Sequence, residues 1–234
     1  MDVPSVLADV AGLGPYFSVG TGPAADDERP VADLHRDPQP LRERIAHVRG
    51  ALGGDERVAA SLAFQGLAAQ LVSPPYAAAV LHGVVPALTP ADLRWRRTAD
   101  GGWALRSGTT RCVPELAPLL DDLLGPLVAA VRAQVPVSER LLWGNAASTV
   151  AAAKRLVTVQ RPASAARAAE VARAVLTAGP LAGAGEFLPA RAPDRVWTFR
   201  RRSCCLYYRV PGGGLCGDCV LGDGPASPAA RPPR

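Results

Sequence analysis

Between residues 41 and 178 the apolar positions recur at three- and four-residue spacing, broken by a few glycine and proline pairs. The first periodic stretch opens near Leu41 and breaks at Gly53-Gly54. Asp55 has the short acceptor side chain of a helix cap, and after it Val58, Leu62, Gly66/Leu67 and Leu71 share one face. Proline lacks an amide hydrogen, so Pro74-Pro75 predicts a stop there and a new helix ending before Pro86. Residues 93–106 turn at Asp100-Gly101-Gly102 and predict a short hairpin. Two helices follow over 114–134 and 138–160, the second burying Leu142, Ala146, Val150, Ala153 and Val157 along one stripe. An alanine-rich helix over 163–178 ends at Gly179-Pro180. Glycine, proline and alanine then dominate until Val196-Trp197-Thr198-Phe199, a strand that feeds a cysteine-rich stretch. Residues 18–40 read as a loop or loosely ordered segment, and no internal repeat is visible.

The predicted class is mostly α, of α+β type: a helical domain with a small β-hairpin and a C-terminal cysteine-rich segment. The expected division is an N-terminal segment 1–54, partly loop; a helical domain 55–195; a cysteine-bearing segment 196–222; and a disordered tail 223–234.

Composition narrows the class of partner. A chain of 234 residues with 48% hydrophobic and 20% charged residues can bury one sizeable core. The net charge of +5 is spread along the chain, without the basic stripe and interleaved aromatics of a nucleic-acid binder. Met1-Asp2-Val3-Pro4 lacks the basic and apolar regions of a secretion signal, and no apolar run reaches the ~18 residues of a membrane span. The expected location is therefore cytoplasmic, with a peripheral seat on the inner face of the membrane left open. Thiols stay reduced there, and grouped cysteines bind metal more often than they form disulfides.

Four of the five cysteines, Cys204, Cys205, Cys216 and Cys219, fall in one short stretch with the spacing C-C-x10-C-x2-C. Four thiols fill a tetrahedral sulfur site for zinc or for an iron–sulfur centre. Zinc ribbons offer two separated C-x2-C pairs, whereas the first pair here is a direct Cys-Cys. Consecutive α-carbons lie about 3.8 Å apart and extended side chains point to opposite sides. A binuclear cluster, being a wider acceptor, takes an adjacent pair more easily than one zinc ion does. Both readings stay open on spacing alone. Cys112 stands almost a hundred residues away and is expected to be a free, buried thiol.

The cysteine pattern resembles that of the FhuF-like ferric siderophore reductases, and other segments share the likeness. These are Ser61-Leu62-Ala63-Phe64-Gln65-Gly66, Ala78-Ala79-Val80-Leu81-His82-Gly83-Val84-Val85-Pro86, Leu93-Arg94-Trp95-Arg96, Ser138-Glu139-Arg140-Leu141-Leu142-Trp143-Gly144-Asn145 and Arg201-Arg202-Ser203-Cys204-Cys205-Leu206-Tyr207-Tyr208. The resemblance implies a [2Fe-2S] cluster on Cys204, Cys205, Cys216 and Cys219. It also implies an oxidoreductase that passes one electron to siderophore-bound Fe(III) and releases Fe(II) in the cytoplasm. The implied partners are a ferric siderophore, with the hydroxamate type a candidate, and an acidic electron donor such as a ferredoxin or a flavin reductase. The rival reading is a non-catalytic binding or sensor module stabilised by zinc or a cluster. A weaker likeness links the helical part to the C-terminal region of siderophore synthetases, but the sequence has no phosphate-binding loop for ligase chemistry.

Around the thiols, Arg200, Arg201, Arg202 and Arg209 are expected either to favour the more negative reduced centre and guide an acidic donor, or to form a solvated charged edge. Tyr207 and Tyr208 are candidates to shield the centre from water, with plain packing the alternative. His82, Trp143 and Asn145 are the candidates for substrate contact, with Arg201, Arg202 and Arg209 for substrate or donor; Trp95 is a further stacking candidate. There is no nucleophile triad, P-loop or dinucleotide-binding glycine fingerprint, so the electrons are expected from another protein.

Overall fold

A computed structural model describes residues 1–222, and the expected tail over 223–234 lies outside the described residues. The N-terminal helix α1 (Val3–Ala11) is capped by Asp2, whose carboxylate accepts from the Ser5 N–H, and buries Val6, Leu7 and Val10. Residues 18–40 are not all loop: they hold the two-residue strands β1 (Gly20–Thr21) and β2 (Arg29–Pro30) and a 3-10 turn (Val31–His35). Helix α2 (Gln39–Leu52) ends at Gly53, whose φ of 71° suits a residue without a side chain.

Helix α3 (Glu56–His82) forms the axis of the molecule. Asp55 caps it as expected, its carboxylate accepting from Val58 N–H at 2.9 Å, and Gly83 closes it in the left-handed region. The expected stop at Pro74-Pro75 is wrong, because the helix runs through both prolines. Each proline inside a helix costs about 3 kcal/mol, a local penalty that packing can exceed. Ser73 to Val80 are buried without exception, and the Tyr76 hydroxyl donates to the Ala168 carbonyl at 2.7 Å. A segment enclosed by neighbours on every side keeps the only backbone that fits them.

Beyond α3 come β3 (Val85–Pro86), β4 (Leu93–Arg97), β5 (Trp103–Ser107), β6 (Cys112–Val113), α4 (Leu116–Gln134), α5 (Glu139–Gln160) and α6 (Ala165–Leu176). Helices α1, α2, α4, α5 and α6 all pack against α3. The predicted stripe Leu142, Ala146, Val150, Ala153 and Val157 is buried in full. The expected hairpin is β4–β5, pairing Trp95 with Leu105 and Arg97 with Trp103, in a four-stranded sheet of order β1-β5-β4-β2. Trp95 stacks on Trp103 with ring centroids 4.2 Å apart, so it fills the core instead of facing a ligand. Strand β6 pairs with β3 and leaves Cys112 free but exposed, correcting the expectation of a buried thiol. A two-residue strand has only one residue per face, and Cys112 falls on the outer one.

The chain then forms a hairpin of β7 (Gly185–Pro189) and β8 (Trp197–Arg201), pairing Gly185 with Arg201 and Pro189 with Trp197. The glycine- and proline-rich composition hid β7. Strand β8 alternates strictly: Trp197, Phe199 and Arg201 point inwards, while Thr198 and Arg200 are only partly covered. It packs on α5 and delivers the chain to the cysteines.

Candidate metal centre

The alternation of β8 decides what lies beneath the cysteines. Arg201 takes the third inward position and is 1% exposed. Its Nη2 donates to Asn145 Oδ1, while its Nε and Nη1 are buried without a hydrogen-bond partner. Asn145, on α5, is itself fully buried and donates from Nδ2 to the Ser61 carbonyl at 2.8 Å and to Ser61 Oγ at 2.9 Å. Ser61, on α3, completes the relay by donating its hydroxyl to the Cys205 carbonyl at 2.7 Å. A chain of hydrogen bonds therefore runs from Arg201 through two helices to the backbone of a cysteine. Gly144 leaves room for it: a Cβ there would collide with Ser203 Oγ and lie 3.3 Å from Arg201 Nη2.

The second cysteine pair is anchored by a carboxylate. Asp218, between Cys216 and Cys219, is buried; it accepts from Arg155 Nη1 at 2.6 Å and from the Ser148 hydroxyl, and its carbonyl accepts from Arg201 N–H. Arg155 also approaches Asp194, at 3.7 Å, and Asp194 pairs with Lys154 at 2.8 Å. Lys154 donates to the Trp197 carbonyl and lies 3.7 Å above the indole. The carboxylates of Asp194 and Asp218 thus balance Lys154 and Arg155. Among the described residues, Arg201 has no carboxylate partner.

The remaining arginines do not act as one run. Arg200 turns back to Glu186, Arg202 is exposed, and Arg209 pairs at 2.8 Å with Asp55, the cap of α3. Tyr207 and Tyr208 are both exposed to solvent. Trp143 is half-buried and donates its indole N–H to Glu139. His82 is bound to Asp9 at 2.9 Å. It lies twenty-one residues along α3 from Ser61, about 30 Å at 1.5 Å per residue, so it is remote from the cysteines. Of the pocket candidates, only Asn145 and Arg201 meet beside the cysteines. Sequence reasoning passed over Ser61, Ser148, Arg155 and Asp218. The signal for part of this set was the polar run Asn145, Ser148 and Arg155, which shares one face of α5.

Cys205 is 3% exposed, and Cys204, Cys216 and Cys219 are partly covered. A hydrogen bond with Cys216 pulls the Cys205 thiol down to about 7, helped by the Tyr207 amide and the Arg201 charge against the opposing effect of burial. The same contact and burial push Cys216 upwards. Backbone N–H groups of Leu206 and Leu221 donate to the sulfurs of Cys204 and Cys219 at 3.3 and 3.4 Å. Among the described residues no three His, Cys, Asp or Glu side chains are gathered tightly enough to hold a single metal ion. The donor set nevertheless suits an anionic iron–sulfur group: four soft sulfurs, amides turned towards two of them, and a buried guanidinium without a counter-ion.

Comparison with known families agrees with this chemistry. Residues 201–221, which contain all four of these cysteines, match the family model described as the FhuF 2Fe-2S C-terminal domain. No curated protein matches the sequence. Among the described residues no helix is long and apolar enough to cross a membrane. Over residues 201–221 the chain is similar to the FhuF 2Fe-2S C-terminal domain, and that match indicates a [2Fe-2S] cluster as its cofactor.

Proposed function

We propose that the protein is a cytoplasmic ferric-siderophore reductase whose cluster is held by Cys204, Cys205, Cys216 and Cys219. The observation that carries this reading is the match over 201–221, a segment whose four thiols sit on a scaffold of buried polar anchors. When bound, the cluster supplies uptake and release of single electrons. The protein holds the cysteine loop from two sides. Ser61 and Asp55 of the α3 end fix Cys205 and Arg209, while Ser148 and Arg155 of α5 fix Asp218. The outer side carries the exposed apolar side chains Tyr207, Tyr208, Leu215, Val220 and Leu221, a surface on which a chelate or an acidic donor protein would rest. Hard oxygen donors such as hydroxamates hold Fe(III) far better than Fe(II), so one electron delivered to the chelated iron loosens it.

The test is a single-turnover reaction. Anaerobic protein, reduced with dithionite and freed of reductant, is mixed with a ferric hydroxamate chelate and a ferrous trap. The expected result is one trapped Fe(II) per oxidised protein, unchanged in Cys112→Ser and lost in Cys205→Ser. Reduced protein that stays reduced in excess ferric chelate leaves a binding or sensing module as the reading.

A further inference from the structure

Arg201 is a cation in a core position, and the rest of its surroundings do not account for it. A buried charge is retained when it is paired or when it serves an anion. The charges of Lys154 and Arg155 are matched by Asp194 and Asp218. Among the described residues, Arg201 has a neutral amide on one nitrogen and nothing on two others. The residue is not a loose surface arginine turned inwards by chance. Its place is fixed by the alternation of β8, by the Asn145–Ser61 relay and by the space that Gly144 leaves. The relay ends on the backbone of Cys205, one of the four cysteines that follow β8.

We propose that Arg201 is the buried counter-ion of the [2Fe-2S] cluster, a positioning residue that, oriented by Asn145, raises the cluster's reduction potential. The step it governs is the uptake of one electron from a low-potential one-electron donor. No bond forms or breaks and no proton moves; the sulfur-bounded centre becomes one unit more negative. A fixed cation in a water-poor site favours that state over the oxidised one. Arginine holds its proton at every accessible pH, so the stabilisation is permanent. Arg202 and Arg209 are exposed or paired and act through solvent, where screening leaves them little influence. At an effective dielectric of about 20, a unit charge several ångströms away changes such an equilibrium by tenfold or more.

The inference rests on the cysteine assignment above but not on ferric-chelate reduction, so it is tested without a siderophore. Anaerobic holoprotein is titrated against small redox dyes while iron, acid-labile sulfide and the visible spectrum are recorded. In Arg201→Gln with full iron and sulfide, the reduction equilibrium should fall at least tenfold, about 59 mV for one electron. Arg201→Lys, which keeps a cation there as long as the ammonium holds its proton, should titrate above Arg201→Gln. Asn145→Asp sets a carboxylate against the guanidinium and should lower the equilibrium with Arg201 still present. If Arg201→Gln does not retain iron, Asn145→Asp decides the matter. A fully loaded Arg201→Gln or Asn145→Asp protein that titrates with the native one overturns the proposal, while loss of colour in Cys205→Ser and its absence in Arg201→Gln separate ligand loss from charge loss.

Discussion

Gly213 and Gly214 are adjacent in the spacer between the two cysteine pairs, yet a methyl group on each would meet different surroundings. On Gly213 it would lie 2.7 Å from the Tyr207 carbonyl oxygen and 2.9 Å from that of Val210, both backbone atoms that cannot swing aside. Gly213 N–H also donates to the Val210 carbonyl at 2.8 Å, closing the turn. On Gly214 it would meet nothing within 4 Å. Gly213→Ala should therefore strain the spacer by about 1–3 kcal/mol, and Gly214→Ala should not. Timing cluster loss under a ferrous chelator checks this: severalfold faster bleaching for Gly213→Ala, native behaviour for Gly214→Ala. Equal rates would mean that the spacer is not held in this turn. The four cysteines stood out in the sequence by their spacing, and they fall inside the matched segment 201–221. Asp218 was not, since an acid in Cys-Gly-Asp-Cys reads as an ordinary turn residue until Ser148 and Arg155 arrive from seventy and sixty-three residues away. Cys112 misled for a similar reason, its exposure being set by its pairing with β3.

Helix α5 and strand β8 carry the site between them, and here periodicity was informative only where one face met one environment. The apolar stripe of α5 was readable because it faces the core, whereas its polar residues have meaning only opposite α3, β8 and the chain on either side of β8. Arg201 was readable in principle, since Trp197, Phe199 and Arg201 share one parity of a strand; three consecutive arginines masked that alternation. The prolines of α3 show the opposite case, a local rule overridden by burial. Lys154 offers a test of how the two elements are fastened. Burial pushes its pKa below that of an ordinary lysine, against the pull of Asp194. Lys154→Met leaves the Asp194 carboxylate buried with Arg155 only at 3.7 Å, and should cost about 3–5 kcal/mol in urea unfolding. The double change Lys154→Met, Asp194→Asn removes both charges and should recover a large part of that loss. Additive losses would show that the pair is not coupled.

At the scale of the whole molecule, the helices and the cysteine segment are stabilised by different means. The core is drawn from α1 to α6 and the sheets, with Leu7, Phe17, Phe64, Leu120, Leu142 and Val157 all inaccessible or nearly so. Among the described residues after β8 there is a single 3-10 turn, Tyr207–Arg209, and five large apolar side chains are exposed. Of those described residues, Cys205, Val210 and Asp218 alone are buried. Helical stability comes from apolar burial and does not require the cluster. The segment's order comes from a few hydrogen bonds and from whatever its sulfurs hold, and without an anionic partner Arg201 carries an uncompensated buried charge that works against closure of the loop. Removing the cluster from the native protein should therefore leave the far-ultraviolet circular dichroism close to that of the holoprotein. It should also open the backbone around Tyr207 and Leu221 to limited proteolysis, at a rate at least severalfold higher. The measurement pairs the spectrum of holoprotein and apoprotein with mapping of the first cleavage sites. First cuts confined to the cysteine segment, with helical signal intact, match a cluster that orders its own cradle; a collapse of the helical signal on cluster loss would place the cluster among the forces that hold the helices together.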